Sequence, residues 1–151
     1  MSELHNLKGT IVDSFYISEG DESGKYVMLF KARTRWYVYE LEGGCCSSSW
    51  IESTSNIDAL LGYEIKEIDV PFMTNVWYGD NGLSAKEDSI GCLQIYSLRL
   101  RTDAGLFEIE FRNDSNGYYG SEIYLRKDLT TWEQITAAYQ NETFKIITED
   151  F

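Results

Sequence analysis

The chain has 151 residues, of which 43% are hydrophobic and 15% aromatic, and its formal net charge is −12. That length fits a single domain over residues 1–151, able to bury roughly 70% of its unfolded surface without a metal or disulfide staple. The charge argues against direct binding to nucleic acid, where lysine and arginine must replace the phosphate counterions, and against binding to an anionic membrane.

The opening "MSELHNLKG" lacks the basic start and apolar centre of a signal peptide, and no stretch approaches the ~18 apolar residues of a membrane span, so a cytoplasmic protein is expected. With three cysteines and no export signal, free thiols are expected rather than a disulfide framework. "GTIVDSFYIS" reads as a strand that ends at the acidic glycine loop "EGDESG". "KYVMLFKA" and "RWYVYELE" are rich in β-branched and aromatic residues and form a hairpin across the polar "RTR".

Next comes "GGCCSSSW". Cys45 and Cys46 are adjacent, which disfavours a disulfide between them because the ring would be strained. Zinc would need two more ligands, and only Cys92 and His5 remain. A catalytic thiol would need a positive neighbour, whereas serine, glycine and tryptophan surround this pair. The plainer reading is a small-residue turn in which the cysteines pack as small apolar groups.

"TSNIDALLG" offers Ser55 or Asn56 as N-cap and Gly62 as terminator of one short helix. "YEIKEIDV" is a short strand candidate, Pro71 is expected to break the chain after it, and "WYGDNGLSAKEDSIG" reads as a long surface loop.

The strongest pattern is "CLQIYSLRLRTDAGLFEIEFR". Tyr96, Leu98 and Leu100 alternate with polar residues, as do Phe107, Ile109 and Phe111, and "TDAG" supplies the turn. A two-residue or a four-residue loop gives the same register: Leu100 opposite Phe107, Leu98 opposite Ile109, Tyr96 opposite Phe111, and Arg99 across from Glu108. "RNDSNGYYGSE" then holds the Asn116-Gly117 turn pair, with Tyr118 and Tyr119 projecting to opposite sides if a strand resumes. It is either a plain hairpin turn or a recognition loop, in which a tyrosine beside Asp114 and Asn116 meets a partner or a small ligand. "EIYLRKD" is a further strand. "LTTWEQITAAYQN" is the better helix: Thr130 and Glu133 have capping-box spacing, and Trp132, Ile135 and Tyr139 share the face that would lie across the sheet. The expected fold is therefore α+β, a mostly antiparallel sheet of about six to seven strands with one short and one longer helix.

Taken together, "LKG" at 7 to 9, the strand hairpin, "CCSSSWIES", "LLGYEI" and the late "SNGYY" make a pattern. It resembles a family of small uncharacterised domains of bacteriophage and bacterial genomes, in which a double cysteine and an asparagine-glycine-tyrosine-tyrosine turn recur in that order. The resemblance is carried by Cys45, Cys46, Leu61, Gly62, Asn116, Gly117, Tyr118 and Tyr119. It implies a phage-encoded origin and no particular activity. The loops at 19 to 24 and 77 to 91 depart from the simplest form of the pattern.

No phosphate loop, dinucleotide glycine motif or paired-histidine metal motif occurs, and a serine triad would depend on His5, the single histidine. The expected function is thus a non-enzymatic acidic binding protein without cofactor, monomeric or homodimeric. Its expected partner is a host protein with a basic groove, such as a defence or nucleic-acid-binding protein that it inhibits. The alternative is a small-molecule or metal-binding domain, or a modest hydrolase, with a site formed by the Cys45-Cys46 turn and the Asn116–Tyr119 loop. Candidate binding residues are Cys45, Cys46, Asp114, Asn116, Tyr118 and Tyr119.

Overall fold

The computed structural model describes residues 2–18, 26–43, 47–116 and 120–151. Ten strands run through them in chain order: β1 (Ser14–Ser18), β2 (Tyr26–Ala32), β3 (Arg35–Gly43), β4 (Ser48–Ser55), β5 (Glu67–Gly79), β6 (Gly82–Leu83), β7 (Gly91–Thr102), β8 (Gly105–Ser115), β9 (Ser121–Leu125) and β10 (Phe144–Ile146). One α-helix, α1 (Trp132–Ala138), lies between the last two strands.

The strands form two five-stranded sheets with the orders β10-β1-β2-β3-β9 and β4-β8-β7-β5-β6, and every pairing between them is antiparallel. This corrects the α+β expectation. The protein is β-rich: its α-helix has seven residues, and the short helix expected near residue 57 is a 3-10 turn, Ile57–Ala59.

The inner faces meet in one core. Phe15, Ile17, Met28, Phe30, Tyr39 and Leu41 from the first sheet pack on Tyr96, Leu98, Leu100, Phe107, Ile109 and Phe111 from the second. Phe15 and Phe107 span the gap edge to face, with ring centroids 5.6 Å apart. The outer face of the first sheet is covered too, because Val27, Leu29, Trp36 and Val38 pack with Leu129, Ile135 and Tyr139 from the helical segment. A sheet buried on both sides reads as continuous apolar sequence, which is why "YVMLF" shows no alternation. In the second sheet the outer face of β7 and β8 is polar, and in those two strands the alternation is clean.

The expected register of the β7–β8 hairpin is the one observed: Leu100 opposite Phe107, Leu98 opposite Ile109, Tyr96 opposite Phe111 and Arg99 opposite Glu108, with Thr102 paired to Gly105 around a two-residue turn. The β2–β3 hairpin also forms, and Arg33 takes a left-handed conformation (φ 60°) in its turn.

Other expectations are corrected. Pro71 does not break the chain: β5 runs through it, and its register with β7 shifts between Asp69 and Phe72. A bulge is where a strand tolerates a residue that cannot donate to the ladder. The expected loop at 77 to 91 contains the end of β5, the β5–β6 hairpin, a 3-10 turn at Lys86–Asp88 and the start of β7. The helix cap falls one residue later than expected, with Thr131 as N-cap and Gln134 completing the capping box. His5 sits in a 3-10 helix, Ser2–Leu7, whose Leu4 and Leu7 are buried in the core.

Candidate functional site

β9 is the edge strand beside β3, and β4 is the edge strand beside β8. The chain therefore crosses between sheets twice at one corner, from β3 to β4 and from β8 to β9. Gly43 lies opposite Ser121 in one sheet and Ser48 opposite Asp114 in the other. The stretches flanking the double cysteine and the "SNGYY" motif are thus strand partners, an adjacency that sequence spacing alone does not give. Cys45, Cys46, Tyr118 and Tyr119 themselves lie outside the described residues.

At this corner the inward stripe of the β7–β8 hairpin turns polar. Beyond Tyr96 and Phe111 the next inward pair is Gln94 with Asn113, followed by Cys92 with Ser115. All four are buried. Asn113 Nδ2 donates to Gln94 Oε1 at 2.9 Å, Ser49 Oγ donates to Asn113 Oδ1 at 2.8 Å, and Ser49 and Ser121 share a short hydroxyl bond. The Tyr96 hydroxyl accepts from Ser121 N at 3.1 Å. One connected network thereby ties β4, β7, β8 and β9 together, and a Cβ on Gly43 would press on Ser49 Oγ at 2.8 Å and Asn113 Oδ1 at 3.1 Å. The backbone of β3 approaches this network as closely as glycine allows. Cys92 is a free, buried thiol whose pKa burial pushes up, which disfavours the thiolate.

Asp114 faces the other way. It lies on the outer side of the second sheet, where its carboxylate accepts from the Tyr78 hydroxyl at 2.7 Å. Tyr78 reaches it by crossing β7 at Gly91, where a Cβ would collide with the phenol ring. That hydrogen bond, then burial, raises the Tyr78 pKa. Asn116 sits on the bend just past β8. Of the expected binding residues, then, the two described ones stand beside the corner, and Asp114 is held by a partner within the sheet.

Farther along that outer face arginines alternate with carboxylates. Arg99 pairs with Glu108 at 2.9 Å, Arg112 with Glu110 at 2.9 Å and Glu52 at 3.6 Å, and Arg101 with Glu67 at 3.6 Å.

A second polar cluster lies under the helix, and sequence reading did not find it. Glu40 on β3 is 6% exposed. It accepts from Arg126 Nη1 at 2.9 Å and from the Tyr139 hydroxyl at 2.5 Å. Burial first, then the bond to Glu40, drives the Tyr139 pKa far upward. Arg126 also forks onto Asp128, at 3.1 and 3.0 Å, which holds that carboxyl below its usual range. The available signal was Glu40 itself, a charge in the apolar run "WYVYELE" at the same strand parity as Trp36 and Val38. Beside this cluster Trp132, Tyr139 and Phe144 line an open cleft of about 320 Å³ together with Thr136, Gln140, Glu142 and Thr143.

Among the described residues no three histidine, cysteine, aspartate or glutamate side chains converge as a metal-ligand set, and no helix is long and apolar enough to cross a membrane. No curated protein and no solved structure matches the chain. A family model does, over residues 6–125, a span that holds β1 to β9 and both crossings at the corner and ends before α1 and β10. The chain belongs to the family DUF7448, described as a domain of unknown function.

Proposed function

We propose that this protein is a non-enzymatic binding protein that uses its acidic surface to engage a basic groove on a partner protein. In its sharpest form it is a bacteriophage factor that occupies the nucleic-acid site of a host defence protein in the host cytoplasm. The observation that supports this reading is the disposition of charge. Arg99, Arg101, Arg112, Arg126 and Lys66 are each paired with carboxylates of the chain itself, and acidic groups outnumber basic ones by the net charge of −12 over the whole chain. Such a surface steers toward a cationic partner and repels nucleic acid. The test is capture of a host protein at low salt, followed by competition with DNA; the bound protein should be displaced both by DNA and by rising ionic strength.

A second reading is favoured by the crossover corner: a small-molecule site whose floor is the Gln94, Asn113, Ser49 and Ser121 network. Small-molecule sites combine a rigid scaffold with a few convergent polar groups, and the corner brings such groups together. Replacing Cys45 and Cys46 with serine should then alter a bound ligand seen by native mass analysis. An unchanged protein of slightly lower stability would assign those cysteines to packing.

A further inference from the structure

The cleft at the end of α1 has a composition that neither reading uses. Trp132 enters it from the first turn of the helix, Tyr139 from its C-cap and Phe144 from the start of β10. The Glu142 N–H donates to the Tyr139 carbonyl at 3.1 Å, and this tight turn brings Thr143 and Phe144 back alongside the helix. The rings stand steeply to one another: Phe144 meets Trp132 at 65° with centroids 6.4 Å apart, and meets Tyr139 at 77° and 5.9 Å. Trp132 is fixed from behind by Trp36, 5.2 Å away, yet it stays 42% exposed. The rings pack edge to face on one another and together wall the cleft, and the half-exposed indole of Trp132 gives that wall a π surface, which attracts an alkylated ammonium ion through its face.

Two features add the charge term. Glu142 contributes a carboxyl to the lining, and no lysine or arginine lines the cleft among the described residues. Lys145, next to Phe144 in sequence, lies instead over the ring of Phe151. The Tyr139 hydroxyl donates to the Glu40 carboxylate, and donation to an anion enriches the ring in electron density, which strengthens its attraction for a cation. Thr136, Gln140 and Thr143 supply polar groups for the rest of a ligand.

We propose that this cleft binds a small molecule bearing a methylated ammonium group, held against the aromatic wall of Trp132, Tyr139 and Phe144 with Glu142 as counter-charge. The proposal is independent of the acidic-surface reading. Its test is titration of the full chain with choline, with tetramethylammonium and with 3,3-dimethylbutanol, the neutral isostere of choline, followed through the indole N–H resonance of Trp132. Both cations should give a saturable shift, and choline should bind about tenfold or more tightly than the alcohol. Trp132→Ala should abolish the site. Glu142→Gln, which leaves all three rings in place, should weaken choline severalfold without changing the response to the alcohol. Equal affinity for choline and its isostere, no shift with either cation, or full choline binding by Glu142→Gln would each overturn the proposal.

Discussion

Tyr139 and Glu40 are 99 residues apart in sequence and share a hydrogen bond of 2.5 Å beneath the helix. It is a buried polar fastening of a segment that also holds to the first sheet through Val27, Leu29, Trp36, Val38, Leu129 and Ile135, and through the backbone bond from Trp36 N to the Thr130 carbonyl. Arg126 compensates the buried carboxylate at the same oxygen, Glu40 Oε2. A buried charge with one partner removed is costly, and two partners make the docking specific.

Tyr139→Phe should cost about 1.5–3 kcal/mol, the usual worth of a hydrogen bond to a charged group. It should also change the alkaline limb of stability. The folded-state pKa of Tyr139 is raised, so its contribution is fully present below the unfolded value of about 10 and is lost as pH climbs from there toward the folded value. Urea midpoints measured from pH 8 to 11 should fall more steeply in the parent than in the variant.

Gly91 and Tyr78 should be strongly coupled. A Cβ at Gly91 would collide with the Tyr78 ring and displace it from Asp114, so Gly91→Ala should cost about 1–3 kcal/mol. In a Tyr78→Ala background the same substitution should cost almost nothing. Denaturant unfolding of the two single variants and the double variant measures the coupling, and additive costs would mean that the crossing of β7 by Tyr78 is incidental.

Asn113→Ala should cost about 1–3 kcal/mol, because it removes the donor to Gln94 Oε1 and the acceptor for Ser49 Oγ inside the structure. Arg99 and Glu108 sit on the outer face with side chains 37% and 32% exposed. A double-mutant cycle there should give less than about 1 kcal/mol, shrinking as salt rises. The contrast separates a buried network from a surface ion pair on the same hairpin.

The parts of the fold legible in sequence are those with one wet face. β7 and β8 alternate strictly because their outer side chains meet water and their inner ones meet the other sheet, and their turn and cross-strand charge agree with that register. The second half of β5 is different: Met73, Thr74 and Asn75 are all exposed. Without a fully buried face the segment has no period-two pattern, and its end, Trp77 to Gly79, reads as the start of the loop. The turn at Ile57 reads as a helix because its cap is remote: the Asp150 carboxylate accepts from Asn56 N at 2.5 Å and from Ile57 N at 3.2 Å. Thr130 and Thr131 both stand ahead of an acceptor at capping-box spacing, and the pairing of Trp36 N with the Thr130 carbonyl at 3.1 Å ties Thr130 to the sheet and leaves the cap to Thr131.

The corner was half legible. Its motifs, the double cysteine and "SNGYY", stand out in composition, but their flanks meet only because the chain changes sheets twice at one edge, a fact of topology and not of local pattern. Gln94 and Asn113 were hidden inside a well-read hairpin, where polar residues at inward positions signal a partner network rather than solvent.

The central claim is that this acidic domain acts by binding a basic protein surface. The measurement that tests it most directly is capture from bacterial lysate on the immobilised chain at ~50 mM and ~500 mM salt, where screening of exposed charges differs severalfold in range, with mass spectrometry of the eluate and of the purified chain. The account predicts one cationic protein retained at low salt, released at high salt and displaced by duplex DNA. A chain that retains no protein at low salt and instead carries a stoichiometric small molecule would contradict it and move the function to a ligand site, at the crossover corner if serine at Cys45 and Cys46 abolishes the bound species and at the cleft beside α1 if Trp132→Ala does.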